Sequence, residues 1–535
     1  MPRDRFLSYF ADPFSMAEPL FAVKETSDNP RMVGLSELAE AEGNIFTFQT
    51  EHLVEALRIR NLALPELVDI RHAMQLASGL PKREFERSEW RFSKWLRLTN
   101  LSAQEQESYF ALLDGEKGRP DQKSLENLLL RTSTAISDVW KGISTELERL
   151  GELERFVRFE IPIQQLMHKR QMKGLVVDLT RSQTFLAAAK TEKYEAMLRV
   201  GATLQHNPTG LNYRNVLPLI HMTDAASLAD FPESRNLPSY FKMAANKSQF
   251  ARDFRAMMQA NRNIKSLLAF TASGGRVYPS FDTMGTVTGR IQTSSPNVQQ
   301  LKRTYRGALS ADPQMHSAYL DFAQYEPGVL AQFVGPGRYR DLYNAGDVYT
   351  SLSNALFADP SKRELSKQIF IAFCYGMELE SIGRLLEGRL ENDARSTYTA
   401  SVSKFFEQFP ELTEFKQRCE ADLQHCGFIG TGLGNRRVRK NTGSLNRRER
   451  GWAMNQVVQG TASLIFKDVL LSLARLFGSD AILLPMHDAV WLQVSEDRMS
   501  ESDFQLIAAQ DMRAVFKKWC PNVTIKVKVS SFDGC

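Results

Sequence analysis

Cysteine is scarce in this chain of 535 residues: Cys374, Cys419, Cys426, Cys520 and Cys535 are scattered, with no Cys-x-x-Cys pair. That excludes a disulfide framework and a thiolate zinc site. Long apolar runs are missing as well, so no membrane span is expected. The opening, MPRDRFLSYFADPFS, has neither the apolar core of a signal peptide nor the acid-free character of an organelle transit peptide. A cytoplasmic protein with no membrane partner is the expectation. Internal repeats and low-complexity tracts are absent too, which argues against a solenoid.

What is present is a hydrophobic content of 43%, enough for a large core divided among several lobes. The net charge of +5 says little by itself. Its distribution says more, because RRVRKNTGSLNRRER, from Arg436 to Arg450, sets seven positive charges against one acid. An isolated run of this kind is ordinarily a solvated loop. Its neighbours here change that reading.

The first 150 residues read as a mixed α/β piece followed by helices, with GNIFTF as a strand and LVEALRIRNL as an amphipathic helix. From Ser144 to about Asn261 the pattern is helical, broken at HNPTGLN. RVYPSF and AYLDFAQY read as strands, and a Gly/Thr/Ser-rich stretch separates them. Helices follow to about residue 425, then the glycine-rich and basic segment, then a helix from Gly451 to Phe477. AILLPMHDAVWLQV reads as a β-hairpin and VTIKVKVSS as a final strand, so one sheet could hold both Asp321 and Asp488.

Each of those aspartates is a lone acid in an apolar strand-like run, a costly position unless a cation or hydrogen bonds compensate it. Singly, each reads as a strand-end or turn residue. Together they fit carboxylates that hold two divalent cations about 4 Å apart for phosphoryl transfer. In RELSKQIFIAFCYG, Arg363, Lys367, Ile371 and Tyr375 recur every four residues and so line one helix face. Two cations there can hold a triphosphate, the apolar residue can cover a base, and the tyrosine can close the pocket. Standing alone, this block is an ordinary amphipathic helix with exposed cations.

Six stretches, in order, resemble the motif blocks of the bacterial DNA polymerase I family, family A. They are GTVTGRIQTSSPNVQQ, LDFAQYEPGVLAQF, RELSKQIFIAFCYG, GFIGTGLGNRR, RERGWAMNQVVQGTASLIF and PMHDAVWLQV, and the likeness runs from about Glu160 to the C-terminus. The resemblance implies an α+β right-hand fold of palm, fingers and thumb. It makes Asp321 and Asp488 ligands of two Mg²⁺ ions, with Mn²⁺ as a substitute, and gives Lys367 and His487 catalytic roles. Arg363, Lys367, Ile371 and Tyr375 would hold the nucleotide with Gln324 and Glu326. Arg290, Asn297, Gln299, Arg436, Arg450, Asn455 and Gln459 would contact DNA. The implied partners are primer-template DNA and deoxynucleoside triphosphates; the implied location is the nucleoid, or a host cytoplasm for a viral or plasmid protein.

Four departures from the family pattern stand out. Ile371 and Ala372 replace an aromatic and a glycine, Ala489 replaces a glutamate, Asn435 is inserted before the arginines, and Arg450 lies one residue too far from Asn455. Expected domains are a thumb at 151–275, fingers at 335–454 and a palm from 276–334 and 455–535. Residues 1–150 faintly resemble the later part of a 3′–5′ exonuclease, with Asp69 where a metal ligand could sit. The Asp-x-Glu of Asp114 and Glu116 falls in the turn-like DGEKGRPD, the wrong setting for a ligand pair, so a degenerate domain without proofreading is expected. Two rivals remain. A single-subunit RNA polymerase would share Ile371 and the small residue after His-Asp, whereas Glu326 and the Gln459 segment favour the DNA enzyme. A non-catalytic duplex-binding accessory protein would have no need for both aspartates, Arg363, Lys367 and Tyr375.

Overall fold

The computed structural model describes residues 4–11, 19–88, 90, 95–97, 99–113, 121–220, 237–245, 248–374, 382 and 395–534. At its N-terminal end lies a five-stranded sheet built from β1 (Arg5–Phe10), β2 (Leu20–Glu25), β3 (Arg31–Val33), β4 (Ile45–Thr47) and β5 (Leu67–Asp69), ordered β3-β2-β1-β4-β5. β1 runs antiparallel to β2 and parallel to β4. One face packs Leu7, Tyr9 and Val23 against Leu53, Val54 and Leu57. The other packs Phe6, Phe46 and Val68 against Ile136 and Trp140 of the helix Gln122–Arg149. With both faces covered, RFLSYF is buried from Phe6 to Phe10 and does not alternate apolar with polar, so it carries no half-buried strand signature. Only the strand at GNIFTF was legible.

The helices Leu179–Leu204 and Gln249–Thr271 pack on each other through Ala196, Val200, Phe250 and Phe254. The break between them falls where expected: Gln205 ends the first helix in a left-handed conformation, and the Asn207 side chain accepts from the Thr209 N–H at 2.9 Å. RVYPSF, expected as one strand, is two short ones, Arg276–Val277 and Ser280–Asp282, which join different sheets. Pro279 sits at the break, because it has no N–H for a ladder.

The sheet that matters for function has four antiparallel strands: β6 (Met315–Ala323), β7 (Ile482–Pro485), β8 (Ala489–Ser495) and β9 (Lys526–Ser530), ordered β7-β8-β6-β9. The expected single sheet therefore forms, joining segments about a third of the chain apart in sequence. Behind it runs the helix Arg447–Phe477. Asn446 and Glu449 close its start in a reciprocal capping box, so it begins four residues before the expected Gly451 and takes in the end of the basic run. By composition it is long and apolar enough to cross a membrane, but 83% of the relevant window is buried inside this protein, which makes it the core helix.

Candidate active site

β6 carries Asp321 opposite Ala489, the first residue of β8. The Phe322 N–H donates to the Asp488 carbonyl at 3.1 Å, and the Met486 N–H to the Ala489 carbonyl at 2.7 Å, which fix the hairpin turn beside the strand. Asp321 and Asp488 thus come together at one end of the sheet. Ala489 is fully buried, so this position offers no third carboxylate to the cleft.

Both aspartates line a cavity of about 470 Å³ whose other wall is the helix Arg363–Cys374. Arg363, Lys367 and Ile371 face it, as four-residue spacing requires. Phe370 reaches its edge but is 1% exposed and stacks on Tyr339 and Phe406. Tyr375 lies outside the described residues. Arg363 is anchored: its guanidinium donates to Asp347 at 2.7 and 3.0 Å and lies over the Tyr349 ring. Asp347 also caps the helix Val348–Phe357. Sequence reading missed this acid, whose one signal is its place just before a helical run.

Neither Asp321 nor Asp488 is in an ion pair among the described residues. Burial, then the charge of Asp488, pushes the Asp321 carboxyl up to about 6, against the pull of Lys528, Lys367 and Arg303. Burial raises Asp488 too, although its side chain opens to the cleft. His487, beside it in the turn, is held below the usual imidazole range by burial and then by Arg290. Such neighbours resist the negative charge they would need together. An uncompensated pair of this kind suits a hard divalent cation.

Glu326, in the first turn of the helix Tyr325–Val334, forms an ion pair with Arg290 and accepts from the Gln459 amide at 3.3 Å. Asn455 donates to Gln459 at 3.3 Å, so the four residues make one polar chain, of which Glu326 and Asn455 line the cavity. Gln324 lines the cavity too, yet its amide oxygen accepts from the Val348 N–H at 2.9 Å and its amide group reaches Gly346. It holds a turn in place.

The remaining expected DNA contacts divide by how far the protein already uses them. Gln299 donates to the carbonyls of Ile291 at 3.2 Å and Pro485 at 2.8 Å and accepts from the Thr293 N–H, which braces the loop before β6 against the β7–β8 hairpin. Asn297 accepts from Thr293 and from the Gln300 N–H. Arg436 belongs to the hairpin Phe428–Val438 and is tied to Glu152 and the Ala77 carbonyl, so it anchors that hairpin to the N-terminal lobe. Gly434, at φ 90°, meets the same Glu152, and any side chain there would collide with it. Arg450 is exposed in the first turn of the core helix.

With this geometry in place, a sequence model of DNA polymerase family A matches residues 222–533. The chain belongs to family A. Among its relatives, the thermostable DNA polymerase I of Thermus filiformis is 29% identical over 247 residues, covering 43% of this chain and 29% of that one. DNA polymerase I of Mycobacterium tuberculosis is 20% identical over 439 residues, covering 75% of this chain and 47% of that one. The chain thus spans less than half the length of these relatives. A solved structure, the POL domain of Pol1 from M. smegmatis in complex with DNA primer-template and dNTP, superposes with a TM-score of 0.75. It covers 99% of this chain and 96% of that one at 16% identity. The α+β right-hand fold is therefore shared.

The family A match begins after the N-terminal lobe, where a second cavity of about 390 Å³ lies between that lobe and the segment Ser280–Asp282. Asp69 lines it, but the residue is not the free ligand that the exonuclease likeness suggested. It is 1% exposed, caps the helix Ile70–Ser78, and takes the Arg71 guanidinium through both oxygens at 2.5 to 3.1 Å. Glu51 shares Arg71 at 2.5 Å, and Asp282 is paired with Lys82 and His72.

Proposed function

We propose that the chain is a DNA-directed DNA polymerase. It would join a deoxynucleotide to a primer 3′-hydroxyl: the 3′-oxygen bonds to the α-phosphorus, its proton leaves, and the α–β bridging P–O bond breaks to release pyrophosphate. The observation that carries this reading is the unpaired couple Asp321 and Asp488 facing Lys367 across one cavity. Family A membership and the POL-domain fold support it.

The donor set fits two Mg²⁺ ions, or Mn²⁺ in their place: two carboxylates that repel each other and lack ion-pair partners. When bound, such ions lower the charge on phosphate oxygens and favour ionisation of the attacking hydroxyl. Lys367 and Arg363 would bind the triphosphate, Arg363 with its orientation set by Asp347. Ile371 would cover the base, with Tyr375 closing the pocket. Glu326 would lie beneath the sugar and exclude a 2′-hydroxyl, while Gln459 and Asn455 follow the duplex minor groove. His487 would orient the primer end.

In this reading the thumb spans 151–275, the fingers 335–454, and the palm the segments that build the central sheet. The exposed Arg447, Arg448 and Arg450 would meet the phosphate backbone. Residues 1–150 would act as scaffold without proofreading, a reading supported by the pairing of Asp69 with Arg71. The cytoplasm would be the site of action.

Primer extension with deoxy- and ribonucleotides in parallel tests the proposal. Deoxynucleotide-dependent extension, lost in Asp321→Asn, is expected. Extension with ribonucleotides alone would favour the RNA polymerase, and no extension with tight duplex binding would favour the accessory protein.

A further inference from the structure

β9 borders the cavity on a side that the sequence motifs leave unassigned. Its pairing with β6 sets Lys528 opposite Asp321 and Lys526 opposite Ala323. Cross-strand partners share a sheet face, so both lysines stand on the face that carries Asp321. Both are exposed, both line the cavity, and neither is held in a direct ion pair among the described residues. Lys528 also exerts the largest cationic pull on the Asp321 carboxyl, ahead of Lys367.

Two acids of this cavity, Asp347 and Glu326, are already matched by Arg363 and Arg290. What remains is Asp321 and Asp488 against Lys367, Lys526 and Lys528. A ring of unpaired lysines disfavours a bare divalent cation by repulsion, and it favours a ligand that brings cation and anion together. Lys367 stands on the helix wall, and the other two stand on the sheet wall beside Asp321. We propose that Lys526 and Lys528 form a phosphate-binding wall that holds non-bridging phosphate oxygens, either of the nucleotide's triphosphate or of the primer strand. This rests on the polymerase reading and gives β9 a positioning role in it.

The test uses the full chain carrying Lys526→Ala with Lys528→Ala, and Lys526→Arg with Lys528→Arg as the charge-preserving control. Three equilibrium measurements need no turnover: deoxynucleoside triphosphate with Mg²⁺, inorganic pyrophosphate with Mg²⁺, and primer-template across a salt series. We expect the alanine pair to weaken binding by about tenfold in at least one, and the arginine pair to stay within about twofold. Loss confined to triphosphate and pyrophosphate assigns the wall to the nucleotide. Loss confined to primer-template, with a log–log salt slope shallower by about 1 to 2, assigns it to the strand. All three within about twofold of wild type would overturn the proposal. A wild-type chain that binds these ligands yet extends no primer would sink the polymerase reading and leave the wall standing on its binding values. Should the alanine pair melt early, Lys526→Gln with Lys528→Gln is measured in its place.

Discussion

Two cavities of similar size, about 470 and 390 Å³, are both lined by acids and cations, and they treat their carboxylates in opposite ways. In the cavity beside the four-stranded sheet Asp321 and Asp488 are unpaired, and burial raises both. In the cavity beneath the N-terminal sheet, Glu51 is brought down to about 2 against its own burial, chiefly by Arg71. Asp282 is lowered further, by His72 and Lys82. Residue type does not separate the two; compensation does. In the second cavity each of these acids finishes folding with a matched cation, whereas Asp321 and Asp488 are left uncompensated at a cost, the condition that suits a ligand.

The largest expected effect cuts across that contrast. Asp321→Asn or Asp488→Ala should lower extension by about a thousandfold or more while primer-template affinity changes only several-fold, whereas Asp282→Ala should leave extension within about tenfold. Strong extension by Asp321→Asn or Asp488→Ala would break the comparison. Next in size is sugar selection, because Glu326→Ala removes the acid proposed to sit beneath the sugar. A lost clash and mispairing worth roughly 2 to 5 kcal/mol should raise ribonucleotide use by tenfold or more, and an unchanged ribo-to-deoxy ratio would remove that role.

Stability should move in opposite directions in the two cavities. Asp69→Ala removes a buried acid, leaves the half-buried Arg71 with only Glu51, and should cost about 2 kcal/mol in urea unfolding. Asp321→Asn, measured without metal at pH 8, should instead stabilise by about 1 kcal/mol, a figure reduced for solvent screening. The pH dependence sharpens this further. Because Asp321 titrates higher in the folded chain, near 6 against an ordinary 3.8, the folded state holds the extra proton between those values. Stability from this group therefore falls as pH rises from about 4 to 6, and the advantage of Asp321→Asn should vanish below about pH 4. Glu51 has the opposite sign: its contribution is complete above about 4.5 and is lost as pH falls toward about 2. An Asp321→Asn advantage that persisted at pH 3.5 would contradict the assignment.

The smallest effect concerns Ile371, which faces the cavity, and Phe370, which is packed behind it. Ile371→Phe should lower the deoxynucleotide KM several-fold through stacking worth about 1 kcal/mol, while Phe370→Ala should act through melting temperature. A sharp rise in KM for Phe370→Ala at unchanged melting temperature would place the wrong residue over the base.

By itself the sequence determined the local pieces of the cavity. A four-residue spacing is a helix face whatever packs on it, so Arg363, Lys367 and Ile371 were legible, and an apolar hairpin interrupted by His487 and Asp488 marked its own turn. Motif order then tied Asp321 to Asp488 across more than a hundred intervening residues. The buried strands β1 and β2 were not legible, because a strand covered on both faces loses the alternation that reveals it. Tertiary structure alone decided which charges are already used. Asp69, a candidate ligand by likeness, is closed on by Arg71; Gln299 and Arg436, expected at DNA, also hold internal hydrogen bonds; and Lys526 and Lys528, in a segment read only as a final strand, come beside Asp321 once β9 pairs with β6. Periodicity is a property of neighbours along the chain, but the compensation of a charge depends on neighbours in space, and those are fixed only when distant segments pack.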